Sequence, residues 1–467
     1  MKKINLLLIT CFLLSGITYA NNIQLANVLL NGQNTISQYS LVNFDVSWEN
    51  SWRTITNEAN YDGAWIFVKF RKKTSSLWQH ATLNSTGGTT PASSILQLSA
   101  DGKGAWIYRT LPGVDFTGNV NYTGASLRWN YGADGVLNTD SVEIRVFALE
   151  MVYVPQGTYK LGTGAGETNH FMDGITGNPY NVTAENIAIT VGVTAGNLNY
   201  TNVTGQGGDI GGPIPANYPK GFAAYWLMKY EASQQQYVDF LNNLDIIRAG
   251  NRYLGLFTGT HPNLGAPNPE RAVNNLSVND ALAFADWAGM RPFTEMEYEK
   301  ACRGYNQMPI PLEFPWGNTT IAATSAVTNS GLVNETANNG NANYGGSYGV
   351  PVRTGIYATA TSTRQSSGGT YYGIMDMAGN LAELCISVGS ANGRAFTNVN
   401  GDGNVDINGD ANVATWPTLA AGFSRRGGYY SDAAAQLETS DRYYASTVVA
   451  VTSRTVFYDI RLARTAE

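Results

Sequence analysis

The residues of this chain best suited to metal chemistry include a short acidic run at 402–410. It reads Asp-Gly-Asn-Val-Asp-Ile-Asn-Gly-Asp and is similar to the start of an EF-hand calcium loop. It departs from that pattern twice, because position 6 is Ile407 instead of glycine and position 12 is Val413 instead of glutamate. The run is either a metal loop or an insertion of Asx turns, and the two departures favour the turns.

Histidines and cysteines are few and scattered. His80, His170 and His261 have no His-x-x-x-His spacing, so we expect satisfied surface or core histidines and no histidine-bound iron centre. Cys302 and Cys385 are predicted to be buried small apolar side chains, since unpaired cysteine is among the most buried residue types. A disulfide between these two cysteines stays open as an alternative.

Composition excludes several classes of protein. The 467 residues carry a net charge of -6, and only 14% are charged, which is low for a soluble domain. No lysine and arginine cluster exists to neutralise phosphates, so a nucleic-acid partner is not expected. The hydrophobic share of 43% and aromatic share of 11% argue against disorder. Three cysteines are too few for a disulfide scaffold.

The first twenty residues have the pattern of a secretory signal. Lys2 and Lys3 precede an apolar run at 4–14, and Thr-Tyr-Ala at 18–20 offers a cleavage site. The apolar run is too short to span a bilayer, so no transmembrane helix is expected in the mature chain. Lipidation at Cys11 is the less favoured alternative, because the apolar run before it would be very short. We therefore expect an exported protein, in the periplasm, at the cell surface or outside the cell.

Residues 22–148 are predicted to form an all-β sandwich domain. Apolar and polar residues alternate at 42–48, at 64–70 and at 142–147, with turn-rich segments between these runs. No cluster of metal ligands or catalytic groups is apparent in this region. An adhesive or spacer module is therefore the expected role of this domain.

The remainder of the chain, 151–467, is loop-rich and predicts an α+β domain with few helices. A helix should begin at Ser233, with Gln236 completing a capping box, and a second should cover about 280–288. A third should begin at the Thr294–Glu297 capping box and end at Gly304. The arginines in this region are expected to form structural pairs with carboxylates and irregular backbone carbonyls: Arg291, Arg303, Arg426, Arg442 and Arg461.

An ordered series of motifs resembles the formylglycine-generating (sulfatase-modifying factor) family. Its strongest parts read MVYVPQGTY at 151–159, RPFTEMEYEKACRG at 291–304 and YGIMDMAGNLAE at 372–383. Further matches lie at 229–237, 273–277, 314–318, 426–428 and 460–464. The resemblance implies a loop-rich variant of the C-type-lectin fold for 151–467, and residues 22–148 lie outside it.

The resemblance implies a calcium site. The family's Asp/Asn-x-x-Gly-Asn-x-x-Glu segment corresponds here to Asp376, Gly379, Leu381 through its carbonyl, and Glu383. Two carboxylates and carbonyls on a glycine-containing loop suit the oxygen shell that calcium prefers. The alternative is a turn in which Asp376 caps the amide of Gly379 or Asn380 and Glu383 pairs with an arginine.

The resemblance also bears on catalysis. Oxidase members of the family bind copper(I) with two cysteines after the Arg-Gly-Gly element, and the corresponding positions here are Asp432 and Leu437. Neither side chain replaces a thiolate as a copper(I) ligand, so copper is not expected. Iron-dependent sulfoxide synthases of the same family carry a three-histidine site in a helical domain, and nothing here matches it. We therefore expect no catalytic residues.

Two functions follow from these expectations. The first is a non-catalytic binding or scaffolding module of the cell envelope or surface, with a protein or glycan partner. The alternative is a metal-dependent oxidase of the formylglycine-generating and sulfoxide-synthase group that acts on a protein or small thiol substrate. The missing cysteines favour the first.

Overall fold

The computed structural model describes residues 22–56, 59–111, 113–164, 167–201, 208–446 and 450–467. The predicted signal segment, 1–20, and Cys11 lie outside these residues. The described strands are β1 Gln24–Asn34, β2 Tyr39–Arg53, β3 Asp62–Lys72, β4 Gln79–His80, β5 Leu83–Thr89, β6 Ser94–Leu98, β7 Ala105–Arg109, β8 Phe116–Trp129, β9 Val142–Val154, β10 Tyr159–Leu161, β11 Met172–Asp173, β12 Tyr180–Val182, β13 Leu198–Asn199, β14 Tyr225–Met228, β15 Thr258–Thr260, β16 Asn263–Gly265, β17 Val327–Thr328, β18 Thr336–Ala337, β19 Glu383–Ile386, β20 Phe423–Arg426 and β21 Ala463–Thr465. The described helices are α1 Gln234–Leu241, α2 Ile246–Arg252, α3 Val278–Trp287, α4 Glu295–Arg303 and α5 Ala391–Arg394, with short 3-10 segments at Ala420–Gly422 and Ala434–Leu437. Many strands and few helices confirm the α+β class.

Two larger sheets face each other across a shared apolar core. One has the order β1-β2-β8-β5, and the other has the order β21-β14-β9-β3-β7-β6, with β4 paired to β3. Every second residue of β2, from Val42 to Trp48, is buried against the other sheet, as the alternation predicts. The predicted strands at 42–48, 64–70 and 142–147 are all present.

Strand β9 crosses the predicted boundary between residues 148 and 151 without a break. On one side it pairs with β3 over eleven residue pairs, from Asp62 opposite Val152 to Lys72 opposite Val142. On its other side, its last four residues pair with β14, which in turn pairs with β21. Strands from both ends of the chain therefore share one sheet. The division at 148/151 and the lectin-like description of the second domain stay predictions.

The three predicted helices are confirmed as α1, α3 and α4. At the start of α4, the Thr294 hydroxyl accepts from the Glu297 amide at 3.1 Å, and the Glu297 carboxylate accepts from the Thr294 amide at 2.9 Å. The helix ends before Gly304, whose φ of 93° favours glycine. Sequence analysis did not predict α2, although its N-cap residue Asp245 caps two amides with its carboxylate.

Aromatic side chains hold the helices and the shared sheet together. Trp226 of β14 stacks on Trp106 of β7 with 4.4 Å between ring centroids, and it meets Tyr61 edge-on. In the same core, the ring of Trp287 in α3 packs edge-on against that of Phe67 in β3, with 5.1 Å between the ring centroids. Contacts of this kind add to the free energy gained by burying the rings. The principal core therefore joins strands from residues 22–148 to helices of the later region.

Candidate functional site

The segment 376–383 forms a tight loop that leads into β19. Asp376 and Asn380 adopt left-handed backbone conformations, with φ of 59° and 61°, and Gly379 has φ of 76°. A Cβ atom on Gly379 would lie 2.5 Å from the Asn343 carbonyl oxygen, so only glycine fits there. The close approach of the Asn343 backbone therefore requires glycine at this position of the loop.

Asn380 and Glu231 fasten the loop to the core. The Asn380 side chain donates to Glu231, which also accepts from the Leu381 amide at 2.9 Å. The side-chain oxygen of Asn380 accepts a hydrogen bond from the Val352 amide at 2.8 Å. Glu231 precedes α1 and is buried, and burial raises its pKa well above the usual range. Sequence analysis did not single out Glu231, although it lies in the matching segment 229–237.

Asp376 is buried at the start of the loop. One carboxylate oxygen accepts from the Gly355 amide at 2.5 Å, and the other has no hydrogen-bond partner. Burial raises the pKa of this carboxyl, while the Gly355 amide and the guanidinium groups of Arg461 and Arg353 oppose the shift. Asp376 therefore caps an amide from a distant segment, and not the amides of its own loop.

Glu383 faces a guanidinium group. Both of its carboxylate oxygens lie 3.1 Å from Arg461 Nε, and Arg461 also donates to the carbonyls of Met228 and Met375 at 2.9 Å each. Burial and the neighbouring Asp459 raise the pKa of Glu383 well above its usual range, and burial raises that of Asp459 to about 6. Asp459 also lies 3.9 Å from Arg461 Nε, so the two buried carboxyls face the same guanidinium group.

A second buried ion-pair network centres on Glu295 of α4. Its carboxylate lies 2.6 Å from Arg442 Nε and 3.2 Å from Arg426 Nη1, and all three side chains are fully buried. The Val388 amide donates to the same carboxylate at 2.8 Å. The predicted structural pairing of the five arginines is confirmed, since Arg291 pairs with Glu297 and Arg303 with Glu299 and Glu313.

The two positions that correspond to the family's copper cysteines have different surroundings. Leu437 is fully buried in an apolar cluster with Phe314, Trp316, Ala342 and Ala378. Asp432 instead lies 3.6 Å from Arg425 Nη2 and accepts from the Tyr429 amide at 3.2 Å. Burial raises the pKa of Asp432, and Arg425 opposes the shift.

Arg425 itself lies among aromatic rings. Its guanidinium carbon is 3.6 Å from the centroid of Tyr444, 4.6 Å from that of Phe457 and 5.6 Å from that of Tyr429. Such stacking favours a cation that is partly removed from water. Sequence analysis did not identify this cluster, because its rings come from segments that only the fold brings together.

A family model described as "Sulfatase-modifying factor enzyme 1-like domain" matches residues 144–466. The chain belongs to this family. The match begins within β9 and includes the loop at 376–383, the Glu295 network and the positions of Asp432 and Leu437.

Curated relatives resemble parts of the chain. The formylglycine-generating enzyme of Thermomonospora curvata is 30% identical over 127 residues, which are 27% of this chain and 37% of that protein. The enzyme of Bos taurus is 48% identical over 50 residues, 11% of this chain and 13% of the relative. The enzyme of Mus musculus is 50% identical over 46 residues, which are 10% of this chain and 12% of the relative. The chain thus matches well under two thirds of the length of each relative.

The residues expected to bind calcium do not form a calcium shell as they stand. Both carboxylate oxygens of Glu383 lie 3.1 Å from Arg461 Nε, whereas a calcium ion would need carboxylate oxygens as its ligands. Only Asp376 offers an unpartnered carboxylate oxygen in this set. Among the described residues, no group of three or more His, Cys, Asp or Glu side chains is placed to hold a metal ion. The prediction of calcium rests on the family resemblance alone, and the contact between Glu383 and Arg461 weighs against it.

We expect removal of divalent cations to leave the stability of the protein unchanged, because Arg461 already neutralises this loop. Thermal unfolding measured in EDTA and then in excess calcium should give the same Tm. The matched control is Asp376→Asn, which removes the one available charge and should likewise show no response to calcium. A calcium-dependent rise of the wild-type Tm that Asp376→Asn abolishes would contradict this expectation and restore the calcium site.

The remaining candidates are buried or internally bonded. Cys302 and Cys385 are free thiols with no exposed surface, and burial raises the pKa of each. In the acidic run, the carboxylate of Asp402 accepts from the Asn404 amide at 2.7 Å, and that of Asp406 accepts from two later amides at 2.8 Å each. These are the predicted Asx turns.

Histidines do not converge on a centre in this structure. His80 is buried and its ring contacts the Lys103 carbonyl, and His261 Nε2 lies 3.1 Å from the Leu244 carbonyl. None of the helices in the described part of the chain has the length and apolar character needed to cross a membrane.

Proposed function

We propose that this chain is an exported, non-catalytic member of the sulfatase-modifying factor family that acts as a binding or scaffolding module of the cell envelope or surface. The observation that carries the proposal is the replacement of the family's copper cysteines. Leu437 lies in an apolar cluster and Asp432 faces Arg425, so neither position offers sulfur to a soft metal.

The two cysteines described elsewhere do not compensate. A thiol acts as a metal ligand or nucleophile in its thiolate form, and burial raises the pKa of both Cys302 and Cys385. Both pack in one apolar cluster with Phe293, Tyr298 and Met377. This environment suits side chains that fill space in the core.

Export is supported by the amino-terminal pattern of two lysines, an apolar run and a small-residue cleavage site. A protein or glycan partner is supported by the aromatic and neutral polar composition and by the absence of a basic cluster in the sequence. Residues 22–143 extend the shared sheet beyond the family match and enlarge the surface available to such a partner.

The purified protein, loaded with copper(I) and supplied with oxygen, should leave a cysteine-containing peptide unchanged. The measurement is mass spectrometry of the peptide after incubation, with the Thermomonospora curvata enzyme as positive control. Conversion of the peptide cysteine to an aldehyde by this chain, lost on chelation of copper, would overturn the proposal in favour of a metal-dependent oxidase.

Partner identity is tested by a native pull-down from envelope fractions combined with metal quantification. We expect one stoichiometric envelope partner and no bound copper or iron. Recovery of a sulfatase together with stoichiometric copper would instead support the oxidase.

A further inference from the structure

Strand β9 leaves part of one edge without a partner strand. β3 pairs with β9 along residues 142–152, but β14 covers the opposite edge only at residues 151–154. One further contact extends this coverage, because the Lys229 amide donates to the Glu150 carbonyl at 3.0 Å. Within the described residues, no strand pairs with residues 143–149 on this edge.

The hydrogen-bonding alternation of the ladder shows which backbone groups face this edge. The Tyr153 amide donates to Tyr61 and the Lys73 amide donates to Ser141, so odd-numbered residues of β9 bond towards β3. In an antiparallel pair, the intervening residues direct their N–H and C=O groups to the other side. Ile144, Val146 and Ala148 therefore present these groups to the free edge.

The free edge is the floor of a cavity of about 820 Å³. One wall comes from the edge strand β1 and is apolar, with Ile23, Leu25 and Val28. The opposite wall comes from α1 and is polar, with Gln235, Asp239 and Asn242 among its residues. An inserted strand would project alternate side chains to these two walls.

The charged side chains that line the cavity are two carboxylates and one guanidinium group. Asp239 and Glu270 line it, and burial raises the pKa of each carboxyl. Arg145 also lines it, but its guanidinium donates to the Asn242 carbonyl at 3.0 Å and stacks 4.6 Å from the Trp78 ring. The cavity therefore complements basic side chains on one face of a strand and apolar side chains on the other.

We propose that this groove binds an extended segment of a partner polypeptide in which apolar and basic residues alternate, and that the segment adds as a strand to the free edge of β9. Main-chain hydrogen bonds to Ile144, Val146 and Ala148 provide affinity, and the two walls select the side-chain pattern. This inference rests on the proposed binding role and names the class of partner for it.

The test uses a fluorescein-labelled ten-residue peptide of alternating valine and lysine, with anisotropy as the readout. Val146→Pro removes one edge-facing N–H but no ladder hydrogen bond, so it should weaken binding about tenfold. Leu96→Pro is the matched control, because the Leu96 amide faces outward from β6 at the far edge of the same sheet. We expect this variant to bind like the wild type.

Hydrogen exchange of the wild-type protein provides a second readout that needs no variant. Saturating peptide should slow exchange of the Ile144, Val146 and Ala148 amides, and replacing lysine by glutamate in the peptide should weaken binding. Absence of binding, equal binding by Val146→Pro, or unchanged exchange at these amides would overturn the inference. The aldehyde assay is independent of this groove, so the two proposals fail separately.

Discussion

Glu295→Ala should lower the free energy of unfolding by about 4 kcal/mol, because it leaves the buried Arg442 guanidinium without its carboxylate and removes one of the two carboxylates that Arg426 contacts. Glu295 contacts Arg442 and Arg426 with no exposed surface. Arg426 also pairs with Glu299, whereas Arg442 has no second ion pair among the described residues. Burial alone would raise the pKa of Glu295, but the two guanidinium groups outweigh it and lower that pKa. Urea denaturation at pH 7, followed by circular dichroism, measures the change.

Glu143→Ala is the control for the Glu295 experiment. Its pair with Arg71 lies at the surface, with 41% and 27% of the side chains exposed, so the cost should stay below about 1 kcal/mol. An equal loss of unfolding free energy in the two variants would contradict the prediction, because the buried Glu295 network would then contribute no more than a surface ion pair.

Lys229→Met should cost about 3 kcal/mol at neutral pH, because it strands two buried carboxylates. Lys229 Nζ lies 3.1 Å from Asp62 of β3 and 3.2 Å from Glu150 of β9, and all three side chains are nearly inaccessible. Burial raises the pKa of Glu150 to about 7 even with the lysine present. Near neutral pH, the buried carboxyls of the folded variant therefore hold protons that the same groups have lost in the unfolded chain.

The pH dependence of the stability of Lys229→Met follows from the upward shift of the buried carboxyl pKa in the folded state. A carboxyl whose folded pKa lies above its unfolded value favours folding at low pH, and that advantage is lost as pH rises through the folded pKa. The destabilisation should therefore be smaller at pH 5 than at pH 8, and Glu150→Gln added to Lys229→Met should reduce the difference. Lys72→Met, at the partly exposed pair with Asp140, serves as control and should change little at either pH. A pH-independent loss in Lys229→Met would refute the buried-carboxylate explanation.

Local sequence signals predicted much of the fold. The capping boxes at Ser233 and Thr294 marked the starts of α1 and α4, because their hydrogen bonds join residues only three positions apart. Alternation likewise predicted β2 and β3, whose buried faces are set by the period of the strand. Helix α2 was missed because its exposed Ile246 and Ile247 do not follow an amphipathic pattern.

The candidate site was less accessible to sequence reasoning. The motif at 376–383 identified the loop, but it could not show that Arg461, remote in sequence, binds Glu383. It also could not show that Asp376 caps Gly355. The free edge of β9 depends on β14 being only four residues long, so it becomes visible only when the strands are assembled.

The ladder between β3 and β9 limits how this protein can be divided. Removing everything before residue 142 would strip eleven paired positions from β9 and bare a long apolar edge, a surface prone to aggregation. Laboratory truncations at the start of the family match should therefore yield insoluble material.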